Sequence, residues 1–264
     1  MIASRRPDGY NDPEFVHLIN QLYANVKKHC HAMLDLQPGM RVLDVGSDVG
    51  DDTIAFAKHE GVEVVGVESS QSLVEFANQQ ALEAGVADQV QHLLIEDYTL
   101  PFEANSFDIC HVDRMLQHLD DPKPIMAEMF RVLKPGGFML LAESDQGTIA
   151  FDCSQQDTWW KLLQHRNTQF ANPFAGRQLF RFANMLGLDD IKVQVFPVVI
   201  TDYDLASYFV QLDDLEDTLL ETGQITEDDL TAWRDDINAL EQESGGNGFA
   251  SINVTIVRGY KPVA

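Results

Sequence analysis

The chain has 264 residues, of which 45% are hydrophobic, enough for one substantial α/β core with an elaboration. Eighteen Lys and Arg stand against 42 Asp and Glu, and the formal net charge of −24 repels phosphate backbones and anionic headgroups, so nucleic acid and membrane surfaces are excluded as partners. Three widely spaced cysteines, no secretory-type N-terminus and no bilayer-spanning apolar run predict a cytoplasmic protein with reduced thiols.

Apolar residues recur at helical spacing over residues 13–34 and predict an amphipathic helix, within an N-terminal helical cap of residues 1–34. The segment before this helix carries Tyr10, a candidate substrate contact on a flap. A helix that only covers the sheet edge is the open alternative. His29 and His31 lie on different helix faces at this spacing, so no metal site is predicted.

The next element is an apolar strand from Arg41 that ends in an acid and a tight turn with Gly46 and Gly50. Such a turn at the start of a helix leaves backbone N–H groups open to a ligand. A dinucleotide requires the pattern G-x-G-x-x-G, but Asp48 and Asp51 stand at its second and third glycine positions. These carboxylates would repel a pyrophosphate, which argues against NAD and FAD.

Acids also follow the next two predicted strands. Glu68 ends the second strand and is placed to accept hydrogen bonds from both hydroxyls of a ribose. Glu96 and Asp97 end the third strand, where either can accept from an adenine amino group. A ligand with an amino-acid end, a ribose and a base, but no phosphate, suits this ordered set. S-adenosylmethionine (SAM) is such a ligand.

Several further stretches carry a resemblance to a known family. They are Val42 to Gly46, Leu100 to Phe102, Ser106 to Asp108, Arg114 to Leu119, and Arg131 to Gly137. With them the chain resembles the class I SAM-dependent methyltransferases over residues 35–150, in particular the small-molecule branch similar to the ubiquinone and menaquinone C-methyltransferases.

The resemblance implies a Rossmann-like, seven-stranded, mostly parallel α/β sheet with helices on both faces. Residues 35–150 would be the SAM-binding core, and residues 151–264 the C-terminal half of the sheet. Within that half, residues 202–243 would form a helical insertion between strands 6 and 7 that covers the substrate. Its apolar stripe serves either to dock on the core or as a dimer interface, so a monomer and a homodimer both stay open.

Two acidic helices are predicted in the insertion. The first runs from Tyr203 to Glu221, and the second from Glu227 to Glu241 after a cap at Thr226. The strand that closes the sheet is predicted from Ser251 onward.

The predicted cofactor-binding residues lie at the strand ends and the glycine turn: Asp44, Gly46, Ser47, Asp48, Gly50, Thr53, Glu68, Ser69, Glu96, Asp97, Asp113 and Arg114. The family's glycine turn normally has a glycine where this chain has Asp48. Asp tolerates left-handed backbone geometry better than most residues, so the turn is expected to form, with the carboxylate near the methionine end of the cofactor.

The predicted chemistry is in-line methyl transfer from SAM to an oxygen, carbon or nitrogen of a small, partly apolar molecule. His118, after the fourth strand, is the candidate general base, with a loop-orienting role as the alternative. The candidate substrate-binding residues are Tyr10, Trp159, Arg177 and Phe249. Two other classes stay open: a SAM-fold enzyme that uses a modified SAM or catalyses a cyclisation, and a non-catalytic binding protein with this fold.

Overall fold

A computed structural model describes residues 13–263 of the chain, without the side chain of residue 14. Its centre is a seven-stranded sheet with the order β3-β2-β1-β4-β5-β7-β6. The strands are β1 (Arg41–Val45), β2 (Glu63–Glu68), β3 (Val90–Leu94), β4 (Phe107–Asp113), β5 (Leu133–Phe151), β6 (Asp189–Asp202) and β7 (Asn247–Tyr260). Pairing from β3 through β5 is parallel, and β7 lies antiparallel between β5 and β6. The predicted Rossmann-like, mostly parallel sheet is confirmed.

Ten helices surround this sheet within the described residues. They are α1 (Pro13–Leu22), α2 (Ala24–Leu34), α3 (Asp51–Ala57), α4 (Gln71–Glu83), α5 (Lys123–Val132), α6 (Gln156–Thr168), α7 (Ala175–Met185), α8 (Tyr203–Val210), α9 (Leu212–Glu221) and α10 (Glu227–Ser244). A short 3₁₀ turn, Leu116–His118, follows β4. The predicted helical insertion between strands 6 and 7 is confirmed as α8 to α10.

Consecutive residues of the central strands pack on opposite faces of the sheet. Val42 belongs to an apolar cluster with residues of α2, α3, α6 and the insertion, whereas Leu43 belongs to a second cluster with residues of α5 and α7. Because both faces are covered, the strands read as nearly continuous apolar runs. The carboxyl ends of β1, β2 and β4 lie at one edge of the sheet, which gathers the predicted site residues there.

The insertion turns its apolar stripe toward the core. Leu215 and Leu219 are fully buried. The rings of Trp159 and Trp233 stack with centroids 6.3 Å apart, and Trp233 Nε1–H donates to the buried Glu216 over 2.7 Å. The apolar stripe of the insertion therefore packs against the core of the same chain.

Several predicted boundaries differ from the structure: α10 continues to Ser244 and does not end at Glu241, and β7 begins at Asn247 and not at Ser251. Gln211 adopts a left-handed φ of +57°, so the predicted helix from Tyr203 is split into α8 and α9. Tyr23 separates α1 from α2. Strand β5 continues past Gly147 to Phe151, and its pairing with β7 shifts register between Asp145 and Ala150.

No helix in the range 13–263 is both long enough and apolar enough to cross a membrane. Cys30, Cys110 and Cys153 are free and buried. Burial raises the pKa of each of these thiols, so they stay protonated and are poor nucleophiles.

Candidate active site

The turn after β1 is built on positive backbone angles. Gly46 and Gly50 have φ values of +78° and +86°, and Asp48 between them has φ of +44°. A side chain at Gly46 would have no room, because a Cβ built there lies 2.4 Å from Met115 Cγ. The turn therefore forms with Asp48 in its middle position, as the tolerance of Asp for left-handed geometry predicts.

Several N–H groups of this turn are bound within the protein. The N–H groups of Gly46 and Ser47 donate to the carbonyl of Val67 over 2.8 and 3.1 Å, and that of Gly50 donates to the carbonyl of Ser47 over 2.8 Å. The expectation that the turn leaves its N–H groups open to a ligand is wrong for these three. The bonds to Val67 instead tie the turn to β2, which fixes Gly46 relative to Glu68.

Thr53 braces the start of α3 from the interior. Its Oγ1 lies 2.7 Å from His92 Nε2, and His92 Nδ1 lies 3.2 Å from Asn78 Oδ1. Burial lowers the pKa of His92 to about 4, so the ring is neutral at neutral pH. Asn78 Oδ1 also accepts from the backbone N–H of His92, so Nδ1–H donates to it, and the Thr53 hydroxyl lies between two acceptors, His92 Nε2 and the Gly50 carbonyl at 2.9 Å. His92 is not among the predicted residues, because a histidine inside a strand carries no distinctive sequence pattern.

A narrow cleft lies between the ends of β1 and β2 and the turn after β4. Three predicted cofactor residues line it: Gly46, Glu68 and Ser69. The other lining residues are Val45, Val67, Ile95, Tyr98, Met115, Leu119 and Ile125. None of these apolar residues is among the predicted site residues, although Val45, Val67 and Ile95 lie at the ends of strands. The lining is apolar around one buried carboxylate, the composition expected for a nucleoside site.

The acids at the strand ends have different surroundings. Glu68 is 1% exposed, and its Oε1 accepts from the N–H and hydroxyl of Ser69 over 2.7 and 3.0 Å and from the N–H of Ser70 over 3.1 Å. Glu96 and Asp97 are exposed, and Asp97 caps the local turn through the N–H of residue 99. Only Glu68 of these three lines the cleft.

Lys27 on α2 reaches two carboxylates at the sheet edge, Asp52 and Asp113. Burial acts to lower the pKa of Lys27, but the two carboxylates outweigh it and raise the pKa above its ordinary value. Burial acts to raise the pKa of both acids. Lys27 nevertheless holds the pKa of Asp52 below its ordinary value. Arg114 and Lys27 together hold the pKa of Asp113 below its ordinary value. All of these groups are therefore charged and depend on one another.

Arg114 connects the turn after β4 to the N-terminal helices. Its backbone is left-handed with φ of +53°, and its guanidinium lies 4.1 Å from the ring centroid of Tyr23. Its Nη2 donates to Asn20 Oδ1 and lies 3.3 Å from Asp113 Oδ2. Asn20 Nδ2 in turn donates to Asp51 over 2.8 Å. The structure thus brings the predicted residues Asp113 and Arg114 together beneath α1 and α2.

Asp44 is paired with a histidine on the neighbouring strand. His111 Nδ1 lies 2.7 Å from Asp44 Oδ1, and although burial acts to lower the pKa of His111, Asp44 outweighs it and raises the pKa. Asp44, Asp52 and His111 have potential ligand atoms within 4.8 Å of one another. However, Asp52 is held by Lys27 and by His31 at 2.7 Å. The carboxyl groups of this cluster are therefore already held by side chains of the protein, and burial raises the pKa of Asp44 although His111 acts to lower it.

His118 lies in the 3₁₀ turn after β4 and is 3% exposed. Its ring stacks on Phe170 with centroids 5.7 Å apart, and its Nε2 lies 3.4 Å from Gln117 Nε2. Glu143 on β5 holds this turn by accepting from the N–H of Leu116. Burial raises the pKa of Glu143 well above its ordinary value.

The predicted substrate-binding residues lie in different surroundings. Trp159 is buried in the aromatic core of the insertion, so it serves packing there. Arg177 is half exposed and binds both carboxylate oxygens of Asp145, one of them over 2.7 Å. Phe249 is 46% exposed. Tyr10 lies outside the described residues.

Comparison with known proteins places these features in a family. Residues 43–141 match the family model of the methyltransferase domain. The chain is 31% identical over 227 residues to an uncharacterised 37.1 kDa protein of a Streptomyces fradiae transposon, covering 85% of this chain and 63% of that protein. It is 35% identical over 125 residues to a demethylmenaquinone methyltransferase of Bacillus cereus, covering 47% of this chain and 52% of the relative. The chain thus spans about half to two-thirds of the length of these relatives.

Solved structures agree on the fold. The YcgJ protein of Bacillus subtilis superposes with a TM-score of 0.63 at 19% identity, covering 93% of this chain and all of that chain (100%). The [4+2]-cyclase SpnF superposes with a TM-score of 0.57 at 20% identity, covering 91% and 81%. Residues 43–141 thus form a methyltransferase domain, and the strand order and glycine turn of the chain are those of the class I SAM-dependent methyltransferase fold.

Proposed function

We propose that this protein binds SAM in the cleft between Gly46 and Glu68 and transfers its methyl group to an oxygen or carbon atom of a small, partly apolar molecule, with nitrogen as the third class of acceptor. The observation that carries the proposal is the buried carboxylate of Glu68 facing a glycine that cannot take a side chain, within one cleft. Such a pairing suits a ribose held close to the backbone.

The remaining groups suit the other parts of SAM. Apolar Ile95 and Tyr98 offer surfaces for a base, and Glu96 or Asp97 beyond them can accept from its amino group. At the methionine end the proposed partners are Asp113 and Arg114, a carboxylate and a guanidinium that match an ammonium and a carboxylate. SAM carries a net positive charge, which fits a site rich in acids.

When bound, SAM supplies a methyl group made electrophilic by its sulfonium. The protein then has to align the acceptor in line with that methyl group and exclude water. His118, buried beside Phe170 at the end of β4, is the proposed catalytic residue. Tyr10, Arg177 and Phe249 stay candidates for acceptor contacts, whereas the packing of Trp159 favours a structural role.

Calorimetry on Glu68→Ala tests the cofactor site. The variant should bind SAM more weakly by about 1.5–3 kcal/mol, the range for hydrogen bonds to a charged group. Glu63→Ala is the matched control, because Glu63 is the exposed residue at the opposite end of the same strand. Equal affinity of wild type and a folded Glu68→Ala variant would remove Glu68 from the site.

A second candidate function is cyclisation on a SAM-type fold, since a cyclase is among the structural neighbours. Mass spectrometry of the ligand that co-purifies with the protein separates the candidates. SAM or its demethylated product supports methyl transfer, a modified SAM supports a different group transfer, and no ligand supports a non-catalytic binding protein. An active preparation should also transfer label from methyl-labelled SAM to a small-molecule fraction.

The net charge of −24 supports action on free small molecules, with no nucleic acid or membrane partner, by a monomer or homodimer. The buried free thiols are compatible with the cytoplasmic location predicted from the sequence.

A further inference from the structure

Four buried side chains are connected by successive polar contacts from α6 to the turn after β4. We call this series the amide relay, and its members are Arg166, Gln146, Gln117 and His118. Arg166 Nη1 donates to Gln146 Oε1 over 2.5 Å, and Gln146 Nε2 donates to Gln117 Oε1 over 2.7 Å. Gln117 Nε2 lies 3.0 Å from the Arg114 carbonyl oxygen and 3.4 Å from His118 Nε2. Each member of the relay is at most 3% exposed.

The direction of the relay follows from its two ends. A guanidinium can only donate, so Gln146 must turn its oxygen toward Arg166 and its NH₂ group toward Gln117. Gln117 must then accept through its oxygen, which leaves its NH₂ group on the far side. Independently, the Arg114 carbonyl can only accept, and it lies on that same side. Two separate contacts thus fix the orientation of the Gln117 amide.

Reversing either amide would be costly. A reversed Gln117 would set NH₂ against NH₂ toward Gln146 and oxygen against oxygen toward Arg114. Leaving one buried polar group unsatisfied costs about 1–3 kcal/mol, and this reversal affects two contacts. The relay therefore has one stable direction, which ends with an N–H of Gln117 pointing at His118 Nε2.

This end point determines where the histidine proton lies. If Nε2 carried a proton, that N–H would face the N–H of Gln117 within a buried space. The neutral ring with its proton on Nδ1 avoids this conflict, and Nε2 then accepts a weak hydrogen bond at 3.4 Å. We propose that Arg166, acting through Gln146 and Gln117, holds His118 as the neutral Nδ1–H tautomer, so that His118 donates a hydrogen bond at the reaction centre instead of removing a proton.

The ionisable groups near the turn are of both signs: at the end of β4, burial acts to raise the pKa of Asp113, but Arg114 and Lys27 hold it below its ordinary value, so Asp113 is negative. Arg166 on α6 and Arg114 before the turn are positive. Burial raises the pKa of Glu143 on β5 above its ordinary value, and Asp145 on the same strand is paired with Arg177 of α7. The orientation of the Gln117 amide, and not these charges, is therefore what selects the tautomer of His118.

This inference rests on the proposed methyl transfer for its meaning and names an acceptor class. A hydrogen-bond donor in place of a base suits an acceptor that enters as an anion, such as a phenolate or an enolate. The acceptor's electron pair forms the new bond to the methyl carbon as the S–CH₃ bond breaks. The pair of the broken bond stays on sulfur as a neutral thioether, and no proton has to move. His118 would orient the anion through Nδ1–H and hold its charge.

Nitrogen NMR on protein labelled at its histidine rings tests the relay directly. Loss of one set of signals in His118→Asn assigns the ring, and the wild-type ring should show a protonated Nδ1 and a bare Nε2 between about pH 6 and pH 8. Gln117→Glu is the informative variant, because a carboxylate oxygen toward Nε2 should move the proton from Nδ1 to Nε2. Gln164→Glu, an exposed change of the same type on α6, should leave the ring unchanged.

A wild-type ring protonated on Nε2, or on both nitrogens at pH 7, would overturn the proposal. So would a folded Gln117→Glu variant with an unmoved proton. If that variant does not fold, Gln117→Met removes the donor without adding charge and should give a mixture of both tautomers, whereas an unchanged ring would count against the relay. The NMR measurement needs neither SAM nor an acceptor, so it can confirm the relay even if the protein transfers no methyl group. It can equally refute the relay in a protein that does transfer methyl groups.

Discussion

Mild acid should destabilise this protein through His92. The buried ring holds its pKa at about 4, against 6.5 for an unperturbed histidine. The unfolded chain therefore binds the proton first. The stability from the neutral ring is complete above about pH 6.5 and is lost as the pH falls toward 4. At about 1.36 kcal/mol per pH unit, the free energy of unfolding should fall by about 2 kcal/mol between pH 7 and pH 5 from this residue alone.

Urea unfolding at both pH values, followed by tryptophan fluorescence, measures the effect. The comparison is between wild type and His92→Gln, because the contributions of all other groups are common to both and cancel in the difference. Wild type should lose about 2 kcal/mol more than the variant. His59→Gln, at an exposed histidine, should behave like wild type. If wild type and His92→Gln lose the same free energy, the ring is not held neutral and the assigned contacts to Thr53 and Asn78 are wrong.

Two further predictions concern the same edge of the sheet. Asp48→Gly should stabilise the fold by up to about 1 kcal/mol in thermal unfolding, because glycine takes a positive φ without strain, and should bind SAM within about tenfold of wild type by calorimetry. A complete loss of binding would make Asp48 a direct ligand. Lys27→Met should lower the free energy of unfolding by about 3–5 kcal/mol, since it leaves two buried carboxylates without their shared cation, whereas exposed Lys28→Met should change it by less than about 0.5 kcal/mol. Equal losses in the two lysine variants would contradict the ion-pair network.

The sheet and the glycine turn were predictable because their signals are local. Each central strand is an apolar run closed by an acid or glycine, and the turn from Gly46 to Gly50 needs only a few residues to specify it. The ordered acids also led to Glu68, which does line the cleft. Helix boundaries were less predictable. The break at Gln211 depends on a left-handed backbone angle at a residue that carries no such preference.

The contacts that complete the site are long-range and have no sequence pattern. Lys27 lies 25 residues before Asp52, and Arg166 lies 20 residues after Gln146, in separate elements. Nothing in either neighbourhood marks these residues as partners. Trp159 shows the opposite error, because an aromatic residue in the substrate half suggests a pocket until its packing partners are known.

The N-terminal helix α2 is joined to the core by ion pairs. The sequence suggests a cap over residues 1–34 that lies on the sheet, but Lys27 supplies the cation that two buried acids of the core share. Removing α2 would leave Asp52 and Asp113 buried with one of their positive charges gone, at a cost of several kcal/mol. A cofactor that carries its own positive charge, as SAM does, is among the few ligands able to offset that loss. We therefore expect SAM bound beside these two carboxylates to compensate in part for a lost Lys27, so that SAM should raise the free energy of unfolding of Lys27→Met by more than it raises that of wild type.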